Sequence, residues 1–287
     1  MTTATVYSAP TTNKNPLSAA GVVRSEWIKL RTIRSTLWCY GLLVLLVVGI
    51  GTLIAVLTDF GGGSITGEAA GSIVVSITTA GLNVAVLIVA VLGALIITGE
   101  YATGMIRSTF AAVPLRTGAL AAKAIVLAVS TFVATSVGIW LTALVTWPIL
   151  SGKGVEVPLG DPAVFMPMLG GAVYVTMIAL LAFGFGTILR STAGALATVL
   201  GLIMVAPIIL QLLGGLTHAD WVNTVSALLP QNAGSELYTF DGQGSGIPAP
   251  VTSDGLDLNG WGGFGVLAAW DAVVLGFALI LVKRRDA

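Results

Sequence analysis

The sequence predicts an all-α, polytopic membrane protein: six transmembrane helices, an interfacial helix before the first and a short cytoplasmic helix after the second. Three observations carry this reading. Of 287 residues, 56% are hydrophobic and 9% charged, against about 25% charged in an ordinary soluble domain. Apolar runs of the ~20 residues that cross a bilayer as a helix recur six times. The 13 basic residues are strongly segregated along the chain, although the formal net charge is zero.

Residues 1–17, MTTATVYSAPTTNKNPL, are rich in Thr, Asn and Pro and have no apolar period, so a disordered cytoplasmic tail is expected, leaving 18–287 as one transmembrane domain. The first 36 residues lack the compact apolar core of a secretory signal. Helical patterning begins at Ser18. In SAAGVVRSEWIKLRTIRSTLW, Val22, Val23, Trp27, Leu30 and Ile33 share one arc at about 100° per residue, while Arg24, Lys29 and Arg31 fall outside it. Glu26 and Arg34 spoil the arc, giving an imperfect basic amphipathic helix suited to a membrane surface.

The six spans fall at roughly 37–57, 73–98, 120–150, 165–189, 193–216 and 262–282 by the ~20-residue rule. Only RSTAG separates the fourth from the fifth, a tight turn that puts Arg190 at a cytoplasmic corner. Alternate connections hold Lys14, Arg24, Lys29, Arg31, Arg34, Arg107, Arg116, Lys123, Arg190, Lys283, Arg284 and Arg285, and the opposite set holds Lys153 alone. Lys and Arg accumulate on the cytoplasmic side, so both termini are expected there. The outer loops begin with TDFGGGSITGEAAGS and SGKGVEVPLGDPAVF. The third, from about 217 to 261, has apolar residues for one or two short helices in its first half and irregular loop in its second.

Several chemistries lack their residues. Gly152-Lys153-Gly154 does not make the G-x-x-x-x-G-K-[ST] phosphate loop, and GQGSG at 242–246 follows no strand. The one cysteine, Cys39, excludes an intrachain disulfide. His218 is the single histidine, and with Asp220 beside Trp221 it reads as interfacial rather than as a metal ligand. No catalytic residue and no metal site are expected. Polar groups within spans are costly in lipid and mark function or helix pairing. Asn83 and Gln211 read foremost as helix-to-helix hydrogen bonds. Asp271 is the sharper candidate, needing a partner, an aqueous path, another subunit or a proton. The spacings Ala182-x-x-x-Gly186 and Gly265-x-x-x-Ala269 fit close helix crossings.

Span two ends at TGEY, which sets Glu100 at the inner boundary. Thr103 is a plausible N-cap, and GMIRSTFAAV then makes two or three helical turns before Pro114. Its Met105, Ile106 and Phe110 are not needed to span anything, and with Arg107 they form a docking element or an amphipathic connector.

The basic RSEWIKLRTIRSTLW, then GEYATGMIRSTFAAVPLR followed by Lys123, and the closing LVKRRDA resemble, in order and position, the membrane (permease) subunits of type-2 ATP-binding-cassette exporters. The resemblance covers nearly everything after the tail. It implies a permease forming the membrane path for ATP-driven export across a bacterial-type cytoplasmic membrane, with hydrolysis, ATP and Mg on a separate ATPase subunit, and a second permease subunit, as a homodimer. It further implies that a coupling helix within Thr103–Val113 inserts into the ATPase, that Glu100, Gly104 and Arg107 belong to its motif, and that the RSEWIKLRTIRSTLW helix lies along the inner leaflet. The apolar spans favour an amphipathic or drug-like substrate. Two rival readings are a proton-coupled secondary transporter using Glu100 and Asp271, and a non-transporting membrane anchor.

Overall fold

A computed structural model of the protein describes residues 18–61, 63–106, 116–217, 219–240 and 258–284. The expected tail, Arg107, Phe110 and the rest of 107–115, His218, the 241–257 loop with its glycine run, and Arg285 lie outside the described residues.

The architecture is all-helical, with six helices long and apolar enough to cross a membrane. Helix α1 (Ala19–Thr32) leads into α2 (Arg34–Leu57), the first span. The second span is made of α3 (Gly67–Thr79) and α4 (Leu82–Ala102). Then follow α5 (Arg116–Gly152), α6 (Pro162–Leu189), and a fifth span built from α7 (Thr192–Leu200), a π-helical turn (Gly201–Val205) and α8 (Ala206–Thr217). Two short helices, α9 (Asp220–Ala227) and α10 (Pro230–Ser235), precede the last span, α11 (Gly260–Arg284).

Helix α6 is the centre of the bundle. Tyr174, Ile178, Leu181 and Phe183 are fully buried, and α4, α5 and α11 all pack on it. Lipid tails are as apolar as these side chains, so close backbone approach rather than a hydrophobic gain favours such crossings. Small residues allow it here. A Cβ on Gly93 of α4 would run into the Ala179 carbonyl of α6, and one on Gly186 would meet Ile97 at 2.7 Å. Ala182-x-x-x-Gly186 is thus part of the α4–α6 seam. Gly265-x-x-x-Ala269 is not a seam, because both residues lie on the exposed side of α11.

Span two breaks at Ala80-Gly81, which the apolar run does not betray. A Cβ on Gly81 would lie 2.5 Å from Val47 Cα, so α2 crosses directly over the break. Lys153, the exception to the charge asymmetry, donates to the carbonyls of Ala55, Val56 and Thr58 at 2.9, 2.6 and 2.6 Å. It therefore caps the end of α2, where the last carbonyls lack helical partners and carry the negative end of the dipole.

Candidate functional site

Glu26, the residue that spoils the arc of α1, is the only buried residue of that helix. Its partner is remote in sequence. Lys123 Nζ, on the second turn of α5, donates to Glu26 Oε2 at 2.5 Å and to Glu100 Oε1, at the end of α4, at 2.7 Å. Lys29 faces the same two carboxylates, at 2.8 Å from Glu26 and 3.5 Å from Glu100. Two acids and two bases thus alternate around a closed, charge-neutral ring that fastens α1, α4 and α5 together.

The local sequence places each member. At about 100° per residue, Glu26 and Lys29 fall on the side of α1 shared by Val22, Val23 and Leu30, and all five are buried or half-buried. The sequence-derived apolar arc is therefore split: Val22, Val23 and Leu30 face the bundle, whereas Trp27 is exposed. Glu26, Glu100 and Lys123 are 4, 5 and 6% exposed, and charges so deeply buried persist only when paired. Burial pushes the Glu26 carboxyl up, but Lys123 and then Lys29 pull it down by more, so it sits below the ordinary carboxylate value. Burial lowers the Lys29 ammonium, and Glu26 followed by Glu100 offsets this, leaving it raised.

Just beyond the ring the chain turns sharply. Thr103 is the C-cap of α4 rather than the N-cap of a following helix: its amide and hydroxyl both donate to the Gly99 carbonyl, at 3.1 and 2.9 Å. Gly104 follows at φ 71°, a left-handed conformation that stops helices and that glycine adopts without Cβ strain. Helical backbone resumes at Met105 and Ile106. Met105 is 44% exposed, whereas Ile106 is 4% exposed and belongs to this chain's own core. The turn is also stitched to α6 and α7. Arg190, left-handed at the end of α6, lies over the Tyr101 ring at 5.0 Å, and Thr192 donates to Thr98 at 2.8 Å.

The intramembrane polar residues are not brought together. Asn83 accepts from Gln231 of α10 at 3.4 Å, and Gln231 in turn accepts from Tyr174 at 2.5 Å. Gln211 is exposed on α8, a helix with no buried residue. Asp271 is 7% exposed in the middle of α11, and neither carboxylate oxygen has a hydrogen-bond partner among the described residues. Among the described residues no three His, Cys, Asp or Glu side chains converge as a metal site would require.

Sequence reasoning reached Glu100 and Gly104, and Lys123 as part of a motif, but missed Glu26 and Lys29. The available signal was an acid interrupting a basic amphipathic helix. Comparison of the chain with protein-family models and with curated proteins gives no match.

Proposed function

We propose that the chain is the permease subunit of an ATP-binding-cassette exporter, exporting an amphipathic or drug-like compound from the cytoplasm and coupled to a separate ATPase through the segment that begins at Gly104. The observation that supports this reading most is the ionic ring. It joins the end of span two, the start of span three and the helix before span one at the base of that segment, so a push there is delivered to all three elements at once. In this reading the ring end of the bundle and both termini face the cytoplasm, and α1 lies at the inner membrane surface.

The coupling contact uses Met105, Arg107 and Phe110, with Ile106 anchoring the segment from within. A second copy of the chain covers the fifth span, where Ile208, Leu212 and Leu216 are 63, 64 and 71% exposed and Gln211 sits on a face without partners among the described residues. An uncovered amide within a span is costly in lipid, whereas a symmetric pair of glutamines satisfies both.

A second reading, a proton-coupled transporter, is favoured by Asp271, a buried carboxyl with no hydrogen-bond partner among the described residues. One experiment separates them. Energised vesicles containing the chain and an ATPase that co-purifies with it are loaded with a panel of fluorescent amphipathic dyes. The exporter reading expects dye movement that requires ATP, stops with vanadate and survives a protonophore. Movement that survives vanadate and stops with the protonophore would replace it with the second reading.

A further inference from the structure

Pinning Glu26 inward turns a different stripe of α1 outward. Arg24, Trp27, Ile28 and Arg31 occupy positions i, i+3, i+4 and i+7, within about 100° of arc opposite Glu26. All four are exposed, with Trp27 and Ile28 at 37 and 52%. Arg34, just past the break at Ile33, is exposed as well. None of the three arginines has an ion pair with a described residue. The two described acids at this end of the bundle, Glu26 and Glu100, are already held by Lys29 and Lys123. The stripe is therefore an apolar pair between two uncompensated guanidinium groups, on a helix that leads directly into the first span.

We infer that this stripe is a binding surface for the headgroups of anionic phospholipids, with Trp27 and Ile28 in the headgroup–acyl boundary and Arg24 and Arg31 on the lipid phosphates. The chemistry fits on each count. Guanidinium forks match phosphate oxygens. Tryptophan prefers the membrane interface. A basic helix with an apolar strip gains both buried apolar area and attraction to anionic lipid. An acidic protein surface would satisfy the arginines but would leave Trp27 and Ile28 unaccounted for so close to the bilayer. The same helix carries the ring on its other face, so bound lipid holds α1 against the base of the turn at Gly104. The inference rests on α1 lying at the membrane surface and is independent of transport.

The test uses the purified full-length chain in detergent, without any ATPase. Retention of phosphatidylglycerol and of phosphatidylcholine with identical acyl chains is measured by native mass spectrometry. Phosphatidylglycerol is expected to be retained in preference, less so as salt rises. Arg24→Gln with Arg31→Gln is expected to weaken that retention about 30-fold, from about a fivefold contribution per basic residue, and to leave phosphatidylcholine unchanged. Arg24→Lys with Arg31→Lys should restore most of the preference, and Lys283→Gln with Arg284→Gln should leave it intact. Equal retention of the two lipids, undiminished phosphatidylglycerol binding by the glutamine variant, or its displacement by inorganic phosphate would each overturn the assignment.

Discussion

Replacing Lys123 by methionine removes one positive charge from the ring and keeps a long unbranched chain in its place. Glu26 and Glu100 would then share Lys29 alone, at 2.8 and 3.5 Å, and the Lys29 side chain is 36% exposed. Removing one partner of a buried pair costs about 3–5 kcal/mol, because the remaining charge stays buried. Lys29 softens the loss, so the lower end of that range, about 3 kcal/mol, is expected. At roughly 2 °C per kcal/mol for a chain of this size, melting should fall by about 6 °C. A thiol-reactive dye reporting exposure of the single cysteine, Cys39, reads this in detergent-solubilised protein. Adding Glu100→Gln to Lys123→Met should recover much of the loss, since the carboxylate left without its partner is gone while Glu26 keeps Lys29. An unchanged melting temperature for Lys123→Met, or a double variant no better than the single, would refute the idea that the ring carries load.

The ring also sets a pH dependence. A carboxyl whose folded pKa is depressed contributes stability above its unfolded pKa, near 4.5 for Glu26, and this is lost as pH falls through the folded value. A raised ammonium contributes below its unfolded pKa, near 10.5 for Lys29, and loses it as pH rises through the folded value. The melting temperature should therefore be level between about pH 5 and 10 as far as these two groups decide it, dropping at either end. Glu26→Gln should flatten the acid limb.

Lys153→Met should loosen the end of α2 by about 1–3 kcal/mol, the worth of hydrogen bonds from a charged donor, and hydrogen exchange at residues 55–60 should speed up while the ring end is unaffected. Gly104→Ala should strain the left-handed turn by about 1–2 kcal/mol, with Gly104→Asn milder; equal melting of all three proteins would mean the turn relaxes freely. Gly93→Val should push α4 off α6 and lower stability by about 1–3 kcal/mol, whereas Gly265→Val on the exposed side of α11 should leave melting unchanged. Asp271→Asn should insert and fold like the parent, and under the proposed function Asp271→Leu should alter transport without loss of insertion; normal transport by the leucine variant would reduce Asp271 to a structural residue.

Span positions were legible because length and apolarity alone decide whether a helix crosses a bilayer. The expected 37–57, 120–150, 165–189 and 193–216 lie within Arg34–Leu57, Arg116–Gly152, Pro162–Leu189 and Thr192–Thr217. The interruptions were not legible. Ala80-Gly81 and the π-turn at Gly201–Val205 lie inside stretches that each read as one span, and Gly81 is explained only by the passage of Val47 over it. The ring was half legible. Glu100 at a span end asked for a basic partner, but Glu26 and Lys123 are 97 positions apart and no periodicity links them. Ile106 looked like a residue for docking because the segment needs no apolar group to span; the turn at Gly104 rotates it into the core and leaves Met105 outside.

That rotation bears on how force would pass through this end of the molecule. Glu100 is one helical turn before Gly104, and it holds Lys123 of α5, which holds Glu26 of α1. A displacement of the segment after Gly104 must therefore either carry the ends of α4 and α5 together with α1, or separate buried ion pairs at about 3–5 kcal/mol for a stranded charge. Moving as a unit preserves every pair in the ring. Spans two and three should thus respond to a pull on the turn as one body, and α1, whose outer stripe is proposed to hold lipid, should move with them. Site-specific spin labels at Ser25 and Gly118 test this: under the proposed function, their separation should stay fixed while both shift relative to a label at Thr217 when nucleotide is added to the chain together with its proposed ATPase. A change in the Ser25–Gly118 distance would mean that the ring opens during the cycle and acts as a latch instead of a rivet.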